Sequence, residues 1–382
     1  MTEKERFLAA MQCQPVDYVP FVPTFNPLSP AQRVGQGYNF PFGPDESERV
    51  WYAVEKLGIG TSTQFCSARA FYPSKGVSAK VWIDGDTIHK VFSTPDGDVG
   101  ASVRYNEKWP HGLDIPMFSS FNEAHFIEPW LKDEHDLACL KHVLNPPWRP
   151  ETLDRLKFNA RIAHERADRY QIPVHFRLTC GISDALLLIG TEDLVYMWAD
   201  KPDLIREYLE HDQIRAMKNL EICLDLGIDF VQRNGFYETA DFWNPAVLEA
   251  ELAPLLREQI DATHQAGALI SYTVNTGVMP ILDHLDKLDF DCIFGIDLDA
   301  GDTDLQAIVD KLGHSKSLWV GPVSHAHIDK PTDEPARRVV RECFDTLGHT
   351  GFILGFAVST HGIMPWENTL ATIDEWEKLR EP

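Results

Sequence analysis

From residue 172 onward, short apolar runs alternate with segments of helical period, and no other feature constrains the fold as strongly. The runs lie at 172–179 (IPVHFRLT), 229–236, 269–275, 292–297 (CIFGID), 317–324 (SLWVGPVS) and 352–358 (FILGFAV). Strand-length runs separated by helices predict a parallel sheet with the helices packed outside it. Two earlier stretches, 18–25 and 61–66, are β-branched or aromatic enough to be strands despite Pro20 and Pro23. Together they make eight strands, the number that closes as an α/β fold of the TIM-barrel, (β/α)8 type. A doubly wound sheet would call for a glycine fingerprint after the first strand, and the chain has no GxGxxG.

The rest of the chain decorates that repeat. Phe7, Leu8 and Met11 fall at helical spacing, and Thr2 stands three residues before Glu5 as a capping box, so an N-terminal helical extension is expected. Residues 77–107 alternate apolar and polar positions around Asp84-Gly85 and Asp96-Gly97, which predicts an inserted β-hairpin arm. Segments 131–144 and 150–170 read as helices. We therefore expect residues 1–382 to form a single barrel domain that carries the arm.

Composition narrows the function. With 44% apolar and 24% charged residues, 382 residues can bury a large core. A formal net charge of −23 argues against nucleic acid or an anionic membrane surface as the main partner. No window is apolar enough for a membrane helix, and the N-terminus lacks the apolar core of a signal peptide. Seven scattered cysteines without a CxxC pair suggest reduced thiols, hence a cytoplasmic setting. There is no GxSxG elbow, P-loop or HExxH.

In a (β/α)8 barrel the chemistry sits on the loops that follow the C-terminal strand ends. Those tips hold Arg177 as a substrate contact, Asn275 to orient a substrate oxygen, and a set of acids and imidazoles. Glu238 stands among Phe236, Tyr237, Phe242 and Trp243, where desolvation raises a carboxyl pKa unless the group is paired or metal-bound; the bland alternative is a solvated helix cap. His325 and His361 could contact substrate or metal, or could simply satisfy a hydrogen bond. His175, inside its strand, suits a barrel-lining or core role. Phe236, Tyr237, Phe242, Trp243 and Tyr272 could line a pocket for a flat apolar substrate, or could pack a loop.

Five stretches carry a family resemblance: RFLAAMQCQPVDYVP at 6–20, TPDG at 94–97, LLIGTEDLVYMWADKPD at 187–203, the segment 228–277 with its mid-helix Pro254, and GFILGFAVSTHGIMPWENTL at 351–370. Together they resemble the uroporphyrinogen decarboxylase superfamily along nearly the whole chain. That superfamily includes porphyrinogen decarboxylases and methyltransferases that use a corrinoid or a thiol. The decarboxylase signature RQAGR after the first strand is replaced here by TFNPLSPAQR, with Arg33 alone beyond it. The zinc ligands of the thiol-activating members, HxC and a last Cys, align with Ser271, Thr273 and Val358.

The remaining branch demethylates methoxylated compounds. The resemblance therefore implies an O-demethylase methyltransferase whose acceptor is the cob(I)alamin of a partner corrinoid protein. It implies a small methoxylated, aromatic substrate and is compatible with a homodimer. Within that reading Glu238, His361 and Asn275 are the catalytic candidates, and Glu238 with His325 or His361 could hold Zn²⁺. The alternative is a decarboxylase or lyase acting on an aromatic or tetrapyrrole acid.

Overall fold

The computed structural model describes the chain apart from residues 27–39, 44, 67–69, 147–148, 358–359 and 362–363; for Asn26, Thr360 and His361 it describes the backbone alone. In chain order the strands are β1 (Phe25–Asn26), β2 (Ser78–Asp84), β3 (Thr87–Thr94), β4 (Gly97–Arg104), β5 (Phe126–Glu128) and β6 (His175–Thr179). They continue as β7 (Phe230–Asn234), β8 (Leu269–Thr273), β9 (Cys292–Phe294), β10 (Ser317–Val320), β11 (Phe352–Leu354) and β12 (Thr360–His361). The chain divides into two compact units, one of Met1–Phe65, Phe158–Arg177 and Leu224–Pro382, the other of Cys66–Lys157 and Leu178–Cys223.

The first unit is α/β. Its parallel sheet has six strands in the order β11-β10-β9-β8-β7-β6, so every apolar run from 172 onward carries a strand beside its chain neighbour. The two earlier stretches pair at the sheet's two edges. Phe21 bridges Leu354 and Thr63 bridges Val174, both in parallel. The Gly60 N–H also donates to the Phe21 carbonyl at 2.9 Å. Short β1 pairs in parallel with β12.

The helix Glu3–Met11 starts at the expected capping box, in which Thr2 and Glu5 each accept from the other's backbone N–H. Its Phe7 packs on Phe230 and Trp319, with ring centroids 5.0 and 5.2 Å away, in a cluster with Met11, Val22, Cys292 and Ile353. Phe230 and Cys292 open their strands, so this helix seals apolar surface near the strand starts. Pro254 breaks nothing. It is the second residue of the α-helix Ala253–Gln265, directly after the wide π-helical turn Leu248–Leu252, where a missing N–H is tolerated.

The second unit contains the arm. Asp84 pairs with Thr87 across a two-residue loop whose Gly85 has φ +59°, the left-handed conformation that such hairpins need. Thr94 pairs with Gly97 at the second turn. The finished sheet is antiparallel in the order β2-β3-β4-β5, so it includes a fourth strand beyond the expected 77–107. Phe126–Glu128 is three residues long, too short to show a period of two.

This unit also buries a charge cluster. Arg215, 1% exposed, donates through Nε to Asp212 at 2.8 Å and through Nη2 to Asp184 at 3.1 Å. Asp212 also accepts from the Gly181 N–H at 2.7 Å, which fixes the turn after β6. Removing the cation leaves two carboxylates in a dry interior, where breaking a buried pair costs about 3–5 kcal/mol. Arg215→Met is expected to lower the urea midpoint accordingly, and a midpoint within error of wild type would show that the cluster is solvated.

Candidate functional site

Strand alternation decides which side chains can meet in the first unit. Residues two apart on a strand share a face, so His175 and Arg177 of β6 point the same way. With Gln232 of β7 and Trp319 of β10 they line a cavity of about 270 Å³. Its remaining wall comes from the stretches at both sheet edges, including Thr24, Phe25, Thr61, Ser62 and Gln64, and from Glu46 and Arg49 of the helix Glu46–Trp51. The lining is mostly polar.

Within this cavity Arg49 donates to the Thr61 hydroxyl at 2.8 Å and to the Ser62 carbonyl at 3.2 Å. Glu46 lies 3.5 Å from it and also accepts from Arg166 at 3.0 Å, from the Thr63 hydroxyl at 3.1 Å and from the Gln64 N–H at 2.9 Å. Burial pulls the Arg49 guanidinium below its ordinary pKa, against the pull of Glu46. His175, 7% exposed, stacks on Phe230 at 5.3 Å, and neither ring nitrogen has a hydrogen-bond partner among the described residues. Burial, reinforced by the charges of Arg177 and Arg49, holds this imidazole down at about 3, so it is neutral at pH 7.

Of the residues that the sequence offered as substrate contacts, Arg177 alone lines this cavity. Glu238 is 1% exposed and paired: one oxygen accepts from Arg233 Nη2 at 2.9 Å, the other from the Tyr272 hydroxyl at 2.6 Å. Arg233 is completed by Gln259 at 2.9 Å and by the Asn234 carbonyl. Tyr272 stacks on Phe290 at 4.5 Å and lies so close under Gly235 that a Cβ there would meet its ring at 2.4 Å. Tyr237 meets Phe242 edge-on at 5.5 Å, Trp243 donates to the Tyr237 carbonyl at 2.9 Å, and Phe236 is 38% exposed. Tyr237, Phe242 and Trp243 thus pack the loop after β7.

Asn275 gives its amide protons to the carbonyls of Gly295 at 2.5 Å and Ala357 at 3.2 Å. His325 is 63% exposed and lies 3.9 Å from Asp297. The side chain of His361 lies outside the described residues. Each oxygen of Glu238 already accepts one hydrogen bond, and among the described residues, which leave out the His361 side chain, there is no group of three His, Cys, Asp or Glu able to hold a metal.

Sequence reasoning missed Glu46, Arg49, Gln232 and Trp319. His175 was legible as a lining residue, since it precedes Arg177 by one strand period. Nothing in a short amphipathic helix distinguishes Arg49 from a surface arginine.

No protein-family model matches the chain, and no curated protein does. Among solved structures it is similar to a methyltransferase from Methanosarcina mazei, at TM-score 0.63 and 15% identity, over 99% of each chain. A B12-independent methionine synthase from Shewanella sp. W3-18-1 aligns at TM-score 0.48 and 10% identity, over 94% of this chain and 96% of that one. The first likeness shows a shared fold. Among the described residues no helix is long and apolar enough to cross a membrane.

Two outcomes test this geometry. Glu238→Gln strands the Arg233 charge and is expected to cost about 3–5 kcal/mol, whereas Tyr272→Phe loses one hydrogen bond to a charged group, about 1.5–3 kcal/mol; urea unfolding of both variants reads the order. For His175 the folded value, about 3, lies below the unfolded value of about 6.5, so the unfolded chain binds the extra proton. Stability tied to this group is present above pH ~6.5 and is lost as pH falls towards 3, at about 1.4 kcal/mol per pH unit. Unfolding free energies of His175→Asn should show a correspondingly shallower acid slope than wild type.

Proposed function

We propose that this chain is a methyltransferase that removes the methyl group of a small methoxylated, aromatic compound and passes it to the cob(I)alamin of a partner corrinoid protein. The observation that carries the reading is the cavity: about 270 Å³, polar, and bordered by Arg177 and Arg49. It is at the small end of ligand pockets, which run from roughly 300 to 1,000 Å³, and it suits a single-ring compound better than a tetrapyrrole. The resemblance of the sequence to the methyltransferase branch and the shared fold with the M. mazei methyltransferase support the same reading.

The finer architecture belongs to this proposal. The parallel bridges Phe21–Leu354 and Thr63–Val174 sit at opposite edges of the sheet, and Gly60 donates to Phe21 between them. These three links support the closed (β/α)8 barrel that belongs to this reading.

Chemically, a phenyl methyl ether is hard to cleave because its leaving group is a phenolate. The O–CH3 bond breaks with its electron pair staying on oxygen, so negative charge develops there. Arg177 is the side chain we assign to that oxygen, since a guanidinium held in place before the reaction stabilises the charge without reorganising. The surrounding walls exclude water, which strengthens this interaction. The corrinoid supplies the strongly nucleophilic cobalt that accepts the methyl group. Glu238 is assigned to hold the loop after β7 through Arg233 and Tyr272, and Asn275 to lock strand tips.

Mixing the protein with a cob(I)alamin-loaded corrinoid protein and a panel of methoxyarenes should convert the cob(I)alamin spectrum to that of methylcobalamin. Arg177→Met should lower kcat/KM by about 10²–10³. No conversion with any methoxyarene, together with CO2 release from an aromatic acid, would sink the proposal in favour of a decarboxylase.

A further inference from the structure

The Arg49 guanidinium borders the cavity, and the carboxylate on the same wall is that of Glu46. That carboxylate is shared: Arg166 holds its Oε2 at 3.0 Å, while Arg49 stands 3.5 Å from its Oε1. Arg49 has five N–H donors and spends two of them on Thr61 and Ser62. Arg49, 19% exposed, therefore keeps donors that a ligand of opposite sign can take.

The second observation is independent of charge. His175 is more than nine-tenths buried, borders the same cavity, and has both ring nitrogens without a protein partner among the described residues. Buried polar atoms normally find partners, so an orphaned imidazole at a cavity wall marks a place where a ligand atom belongs.

We propose that the cavity is a binding site for a small monocarboxylate, with the Arg49 guanidinium taking the carboxylate and the His175 ring N–H completing its hydrogen bonds. A planar guanidinium matches a planar carboxylate in geometry as well as charge. Glu46 at the same wall disfavours a more highly charged anion such as phosphate. Burial first, and then the charges of Arg177 and Arg49, keeps His175 neutral, and those charges also attract the ligand. The inference deepens the proposed function by naming the substrate class, an aryl carboxylate; it rests on that reading only for the fate of the methyl group.

Titration calorimetry on the 382-residue chain separates the two. Benzoate, which has no methyl group to transfer, should bind, and benzamide, its uncharged counterpart, should bind at least about tenfold more weakly. Arg49→Met and His175→Phe should each weaken benzoate at least about tenfold, and weaken benzamide by less. Because Arg49 also tethers Thr61 and Ser62, Arg49→Lys serves as its partner variant and should retain part of the benzoate affinity.

Equal binding of benzamide and benzoate, tighter binding of inorganic phosphate, or no carboxylate binding in the millimolar range would each overturn the site. Retained benzoate selectivity in His175→Phe would do the same. Benzoate binding without any methyl transfer from methoxybenzoates would remove the reaction and leave the site standing.

Discussion

Parallel strands all end on the same side of their sheet, so each leaves carbonyl and N–H groups past its last rung that must find partners in one crowded layer. The tips here meet that demand with backbone bonds between neighbouring strand ends, such as Gly295 N–H to the Trp319 carbonyl at 3.0 Å, and with a few side chains. Asn275 after β8 bonds the carbonyls of Gly295 and Ala357, which ties together the ends of three strands. The indole N–H of Trp319 on β10 reaches the Val22 carbonyl at 3.0 Å. Gly355 permits that approach, since a Cβ there would meet the same indole nitrogen at 2.2 Å. These ties hold the edge stretches against the sheet and so shape the cavity walls.

Two kinds of polar burial follow, and they do different work. In the pairs Arg233–Glu238 and Arg215–Asp212, the charged groups are nearly or fully buried and answered by neighbouring protein groups. Such clusters are retained because removing either partner leaves an unanswered charge, and they fix loop geometry near the strand ends. Around the cavity the accounting stays open: one carboxylate is shared by two arginines, and an imidazole lacks partners among the described residues. A region whose donors are not consumed by the fold is where a ligand can be bound most specifically.

Much of the architecture was legible before any coordinates. The apolar runs from 172 onward all became strands in sequential order, the Thr2–Glu5 capping box opened the first helix, and Asp84-Gly85 turned the arm. These signals are local, set by backbone preference and by the period of apolar residues. The site was read less completely. Glu238 was recognised as an acid among aromatics, and pairing was one of its expected fates, but Arg233, five residues before it, was not seen as the partner. Tyr237, Phe242 and Trp243 pack the loop after β7, and none of the five aromatics offered borders the cavity.

By itself the sequence determined the strand–helix repeat, the face that His175 and Arg177 share, and the N-terminal cap, because each depends on residues a few positions apart. Only the tertiary structure decided that Arg49, from a helix more than a hundred residues before β6, faces the same cavity as His175, and that Glu46 answers two arginines at once. Which charges are compensated depends on distances of a few ångströms between segments remote in the chain. No periodicity or composition encodes those distances, and they alone separate a structural ion pair from a binding site.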